Sequence, residues 1–241
     1  MSDLMLCRCP HHPDPVASHE SAIAENPANA GTTTPGSRRK RSVGSFNKLW
    51  KPGRTLRISF IHNVKDWRKQ AIFKAACKWL PYTNLNFELV DNKTEDAEIK
   101  ILSYGQENHS LIGTDALTCS DYSMALGVNT ASENFEQIVL HEFGHALGLV
   151  HEHQHPDADI PWDIPKVYAY YAALGVEEAT VDDSVFNKLE DSNLRKLPYD
   201  CHSIMHYPIP KELTLGDWEV GHNAEISEKD KAFMRLAYPH D

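Results

Sequence analysis

The chain has 241 residues, 41% of them hydrophobic, and a formal net charge of -10 at pH 7, enough length and apolar content for one core or two lobes around a cleft. The acidic balance argues against general nucleic-acid binding, with Arg38-Arg39-Lys40-Arg41 as a local basic exception. No run of about 18 apolar residues occurs, so no helical membrane span is expected, and Met1 to Pro15 carries Cys, His, Pro and Asp where a secretory signal would be apolar.

Residues 1–45 are rich in Pro, Ala, Ser, Thr, Asn and charge without a sustained apolar period, which predicts a flexible leader and candidate propeptide. The fold is expected to begin near Phe46, with an N-terminal subdomain over 46–148 and a C-terminal one over 149–241. Leu56, Ile58 and Phe60 alternate with Arg57 and Ser59, a strand. Trp67, Ala71, Ala75 and Trp79 then recur at helical spacing from Lys65 to Leu80, before Pro81. Leu85 to Val90, Ala97 to Leu102 and Tyr122 to Val128 read as strands, with Ser110 to Thr114 a short edge-like piece between the last two. A helix carrying the histidines described next should follow. Beyond His151, Pro156, Pro161, Pro165, Pro198, Pro208 and Pro210 predict an irregular half. It closes on one helix from Ser227, with Asp230 three residues on as a capping-box partner, to Tyr238 before Pro239.

The densest chemical signal is His141-Glu142-Phe143-Gly144-His145-Ala146-Leu147-Gly148-Leu149-Val150-His151-Glu152. Helix residues four apart share a face, so His141 and His145 can offer both imidazoles to one ion, with Glu142 about 100° further round. A tetrahedral zinc needs a third protein ligand and an open position. His151 lies too far along a straight helix to supply it. Gly148 can take positive φ at little cost, so the helix can stop there and His151 can swing back. His153, His155, His202 and His206 have an ordinary reading as solvated or hydrogen-bonded side chains.

With Glu152 directly after the third histidine, the motif resembles the astacin family of metzincin zinc endopeptidases. A second motif about 50 residues on, Ser203-Ile204-Met205-His206-Tyr207, is similar to that family's Met-turn. The resemblance spans roughly Leu49 to Pro239, with weaker echoes at Ile112-Gly113-Thr114-Asp115 and from Ser227 to Pro239. It implies an α+β metzincin-type fold: an N-terminal twisted, mostly parallel sheet with two long helices, an irregular C-terminal subdomain with one terminal helix, and a cleft between them. It further implies one zinc per chain on His141, His145 and His151, with Glu142 as general base and then acid. Tyr207 is a fifth ligand or a hydrogen-bond donor to the developing oxyanion, and Met205 is a soft floor beneath the site. The activity implied is hydrolysis of peptide bonds of proteins or extended peptides through a zinc-bound water activated by Glu142. Similar enzymes hold an extended peptide on an edge strand, for which Ser110 to Asp115 is the candidate.

The chain also departs from that family. Its cysteines, Cys7, Cys9, Cys77, Cys119 and Cys201, are odd in number and sparse, which does not read as a disulfide framework. Family members are usually secreted, whereas the absence of a visible signal points to a cytoplasmic or non-classically secreted chain. Arg38 to Arg41 followed by Ser42 resembles a dibasic processing site, and Cys7 or Cys9 could cap the zinc until the leader is removed. The rival to the endopeptidase is a non-catalytic, zinc-stabilised peptide-binding module. A third reading, a histidine-rich metal buffer, is disfavoured because the ligands are arranged for one open site.

Overall fold

The computed structural model describes residues 14–30, 44–45, 48–90, 97–189, 194–195 and 197–240; Cys7, Cys9 and the Arg38 to Arg41 cluster lie outside them. The first element, α1 (Pro15–Glu25), corrects the expectation of a structureless leader. Asp14 caps it by accepting from Val16 and Ala17 N–H, and Pro15 opens it where a missing N–H costs nothing. It buries only Ser18 and Ala22. Its docking is mostly polar: the Asn26 and Asn29 amides donate to the carbonyls of Trp50 and Leu49, and Ser18 Oγ donates to Asp115. Such docking leaves no apolar period to read. A 3-10 turn (Pro27–Ala30) follows, then the two-residue strand β1 (Gly44–Ser45).

β2 (Thr55–Phe60) buries Leu56, Ile58 and Phe60 as its alternation requires. α2 (Asp66–Ala76) follows and tightens into a 3-10 stretch (Cys77–Tyr82) that contains Pro81. Ile72, Ala75, Ala76 and Trp79 form its buried side. Trp67, expected on that apolar face, is instead 58% exposed: at about 100° per residue it lies about 140° round the helix from the buried Ile72. β3 (Asn86–Leu89), β4 (Ile99–Leu102), β5 (Asn108–Ser110) and β6 (Met124–Leu126) complete a five-stranded sheet in the order β3-β2-β4-β6-β5. Every pairing is parallel except β5 with β6.

The edge strand is therefore Asn108–Ser110. Of Ser110 to Asp115, expected as that edge, only Ser110 lies in the strand, and the far end of that stretch falls in a 3-10 helix (Gly113–Thr118) with buried Thr114 and Asp115. Gly113 holds φ at 50°, and an added Cβ would stand 1.8 Å from the Lys48 carbonyl, so the backbone turns here rather than extending. α1 lies against this 3-10 helix, with Ser18 and Lys48 both on Asp115.

α3 (Phe135–Ala146) crosses the same layer as α2, burying Val139, Leu140 and Phe143 against the sheet core. The C-terminal half is less regular but holds more helix than its prolines suggested. Pro165 does not break the chain; it lies in the first turn of α4 (Ile164–Ala173), capped by Asp163, where no intrahelical donor is lost. α5 (Glu178–Val181) runs into a π-turn (Asp182–Phe186), and Val167, Tyr171, Val181, Val185 and Leu213 form a small second core. β7 (Leu194–Arg195) pairs antiparallel with β1. The final helix, α6 (Glu228–Ala237), starts with the expected capping box between Ser227 and Asp230. No helix among the described residues is long and apolar enough to cross a membrane. Among them Cys77, Cys119 and Cys201 are free thiols.

Candidate functional site

α3 delivers its residues because it is pinned from three sides. Trp79 Nε1 donates to the Leu140 carbonyl, Trp50 Nε1 to Ala146, and the Tyr238 hydroxyl to Leu147. The Ala146 and Leu147 carbonyls lie at the helix terminus, where intrahelical partners are missing, while Leu140 lies further back in the helix. The helix stops where the spacing predicts: Gly148 sits at φ 94°, and Leu149 N–H returns to the Gly144 carbonyl. The chain then reverses so that His151 faces His145. Glu152 N–H donates to the Met205 carbonyl, locking the turn after the third histidine to the Met-turn.

The three imidazoles converge. His145 Nε2 lies 3.2 Å from His141 Nε2 and 3.0 Å from His151 Nε2. His141 Nδ1 donates to the Ile204 carbonyl and His145 Nδ1 to that of Leu149, and since a carbonyl only accepts, both rings present an unprotonated Nε2 to the shared centre. Lone pairs aimed at one another at this distance repel unless a cation lies among them. A tetrahedral zinc with nitrogens at about 2.0–2.1 Å sets them about 3.3 Å apart, which the observed spacing matches. The residues present fit zinc, and His141, His145 and His151 form its binding triad. Burial depresses all three: His141 is pushed down to about 4, and His145 and His151, which also feel each other and His141, lie well below the ordinary imidazole value. Neutral imidazoles are what a metal needs.

Glu142, one residue round the helix from His141, is buried and lines a pocket with Asn108, Gln137, Ile138, His141 and Tyr207. Tyr207 follows the Met-turn, its ring centroid 4.4 Å from that of His151 and 6.2 Å from that of His141. All five residues singled out in the sequence thus meet in one place. Met205 lies under the helix, and here Gly144, unremarked in the sequence, is decisive: a Cβ on it would stand 2.3 Å from Met205 Sδ. Its signal was only a small residue at an unspecified motif position.

The surrounding polar groups were also not legible. Asp230, read as a helix cap, accepts at the same time from Ser203 Oγ and Ile204 N–H, so the final helix holds the Met-turn. Burial pushes its pKa up although these bonds oppose the shift. Glu152 accepts from Asp200 N–H; burial, with the neighbouring Asp230 and Asp200 charges, pushes its carboxyl up to about 9. Of the other histidines, His153, His155 and His206 are buried and hydrogen-bonded, to the Ser184 carbonyl, the Leu197 carbonyl and the Tyr199 hydroxyl respectively, and His202 is exposed. His153 also stacks on Tyr207, ring centroids 4.4 Å apart at 19°.

Known proteins place this site in a family. The family model described as Astacin, a peptidase family, matches residues 42–238. An astacin-like metalloendopeptidase of Gallus gallus is 39% identical over 177 residues, 70% of this chain and 39% of the relative. Zinc metalloproteinase nas-36 of Haemonchus contortus is 26% identical over 174 residues, 72% of this chain and 26% of the relative. The chain thus spans about a quarter to two fifths of the length of these curated relatives. Among solved structures, myroilysin superposes with a TM-score of 0.77 at 32% identity, covering 82% of this chain and 98% of that one. The hatching enzyme HCE-1, a zinc protease from Oryzias latipes, shares the fold, with a TM-score of 0.56 at 20% identity. A match over most of the chain, falling on the histidine triad, the Met-turn and the sheet that carries them, shows that this chain belongs to the astacin family of zinc metalloproteases.

Proposed function

We propose that the chain is a zinc-dependent endopeptidase that cuts proteins or extended peptides, with Glu142 and Tyr207 as its catalytic residues. The observation that carries this reading is the convergence of three neutral imidazoles with a buried carboxylate and a tyrosine at the wall of an open pocket. Bound zinc would supply a Lewis acid for the scissile carbonyl and acidify a water beside it.

The rest is done by this chain's own side chains. Glu142, lining the pocket beside His141, would take the proton of a water facing the triad and pass it to the leaving amine. Tyr207 donates its hydroxyl hydrogen bond where negative charge grows on the carbonyl oxygen. Asn108–Ser110, the antiparallel edge strand, offers backbone groups to an extended substrate, which favours affinity with little sequence preference. A buried glutamate beside a zinc triad is not needed to hold metal, which favours the enzyme over a zinc-stabilised binding module.

The test uses zinc-loaded full chain and unfolded casein, beside Glu142→Ala and a chelator. Cleavage that both controls abolish, with Glu142→Ala still holding one zinc, is the expected result. One equivalent of zinc with no Glu142-dependent cleavage, in the full chain and in its Cys7→Ser, Cys9→Ser variant alike, would select the binding module.

A further inference from the structure

At the C-terminal ends of β2 and β4 the sheet leaves a groove whose walls are aromatic and which the chemistry above does not use. Trp67, in the first turn of α2, is 58% exposed, and Tyr104, two residues past β4, is 62% exposed. His62 lies against Tyr104 with ring centroids 5.2 Å apart, and Val64 lines the groove between the walls. Single exposed aromatics are ordinary, but three converging on one groove form a patch that a ligand can cover. The groove is built on fixed backbone. Arg68 donates to Ser103 Oγ and to the carbonyls of Leu126 and Val128, tying the ends of β4 and β6 to α2.

Its position relative to the cleft names the occupant. Because Glu142 hands a proton to the leaving amine, the substrate on the C-terminal side of the cut lies over Glu142, in the pocket that Asn108 also lines. β5 is antiparallel to β6, so its first residue, Asn108, stands at the same end of the sheet as the groove. A peptide pairing antiparallel with β5 therefore leaves the strand past Asn108, C-terminal side leading, and meets the loop 103–107. Two strand spacings of about 4.8 Å separate β5 from β4, a gap that about three extended residues bridge. We propose that the groove between Trp67 and Tyr104 is a distal subsite that takes an aromatic side chain of the substrate about three to five residues C-terminal to the scissile bond. The direction of the chain rests on the endopeptidase reading; the aromatic preference follows from the stacking faces that the groove presents.

The experiment uses peptides with one cleavable core and either Phe or Ser at each of those three positions. They are cut by zinc-loaded full chain and by the Trp67→Ser, Tyr104→Ser double variant, and their binding to zinc-loaded Glu142→Gln, with and without the same two substitutions, is read by calorimetry. At one position Phe should raise kcat/KM about fivefold over Ser, through KM, and tighten binding by a similar factor. The double variant should lose that gain while cutting the Ser peptide, and a peptide ending two residues past the cut, at the wild-type rate. No Phe preference at any position, or a preference that survives the double variant, overturns the subsite alone if cleavage is seen. If nothing is cut but Phe still tightens binding in a Trp67- and Tyr104-dependent way, the groove stands as a peptide subsite and the endopeptidase reading falls. If neither cleavage nor preferential binding occurs, both fall.

Discussion

Tyr207 and Gly144 mark what single residues contribute here, one through chemistry and one through the space it leaves. If Tyr207 donates to the developing oxyanion, Tyr207→Phe keeps the ring against His151 and stacked on His153 and removes only the hydroxyl. The expected outcome is a fall in kcat of about 10² with KM changed by less than about twofold, read from steady-state kinetics on one peptide. A structural tyrosine would instead leave kcat intact. At Gly144 the contact with Met205 decides the outcome: a Cβ 2.3 Å from Sδ makes the end of the methionine shift, and Met205 is buried, so the shift disturbs its packing. Gly144→Ala should lower stability by about 1–3 kcal/mol in denaturant titration, and the zinc content after dialysis should fall with it. The ligating histidines were readable in the sequence because i, i+4 spacing fixes a shared helix face whatever the fold. Gly144 was not, because its neighbour lies about 60 residues away in the chain.

Between elements, a polar joint away from the site is Glu98, just before β4. It accepts from Arg57 N–H and side chain and from Arg54, and so ties the entry of β4 to β2. Burial alone would push its carboxyl up, but the Arg57 hydrogen bonds and charge outweigh this and hold it below the ordinary carboxylate value. With the folded value depressed, the stabilisation is complete above the unfolded carboxylate range and is lost as pH falls through the folded value. Glu98→Gln should therefore cost about 1–2 kcal/mol near pH 7, with both arginines partly exposed and so partly screened. The gap to wild type should close as chemical denaturation is repeated below pH 4.5. Strand and helix positions were largely legible, since β2 and β4 alternate and α6 has its capping box. Each departure has a physical cause: polar docking hid α1, a proline compatible with a first turn hid α4, and Gly113, at positive φ against the Lys48 carbonyl, turns the chain into a 3-10 helix where the edge piece was expected to continue.

For the whole molecule, the triad couples folding to metal and to pH. Removing zinc leaves imidazole lone pairs facing one another where α3, the turn to His151 and the Met-turn meet. A ligand present at about a thousandfold over its Kd stabilises by about 4 kcal/mol. Chelation should accordingly lower Tm by about 8–16 °C in a scan of the full chain, reversed by added zinc. Acid should act on the same joint. His141 and His206 are pushed down to about 4 and His153 to about 3, chiefly by burial, and His145 and His151 lie well below their ordinary value. The unfolded chain takes up these protons near pH 6.5 while the folded one does not, so stability falls as pH drops from about 6.5 to about 4. Glu152, raised to about 9, and Asp230, also raised, have the opposite sign, since a raised carboxyl holds its proton when folded, but they are two carboxyls against five imidazoles. Tm against pH, with and without chelator, checks both the sign and the window; a flat profile between pH 6.5 and 4 would contradict the burial of these rings.

The sequence by itself brought His141, His145 and His151 to one place with Glu142 beside them, and its resemblance to the astacin motifs gave the family and with it the metal. The histidine positions depend on spacings along one helix and one turn, where geometry follows from the backbone alone. Only the tertiary structure decided what holds that machinery in place: Gly144 over Met205, Asp230 across to the Met-turn, and three aromatic donors along α3 and its end. It likewise decided where the edge strand ends, that part of the leader is helix, and that Trp67 faces solvent beside Tyr104 instead of joining the core. The physical reason is range. A pairing between residues scores apart has no period in the sequence, and whether an apolar side chain is covered depends on the layer above it, which the chain supplies from elsewhere.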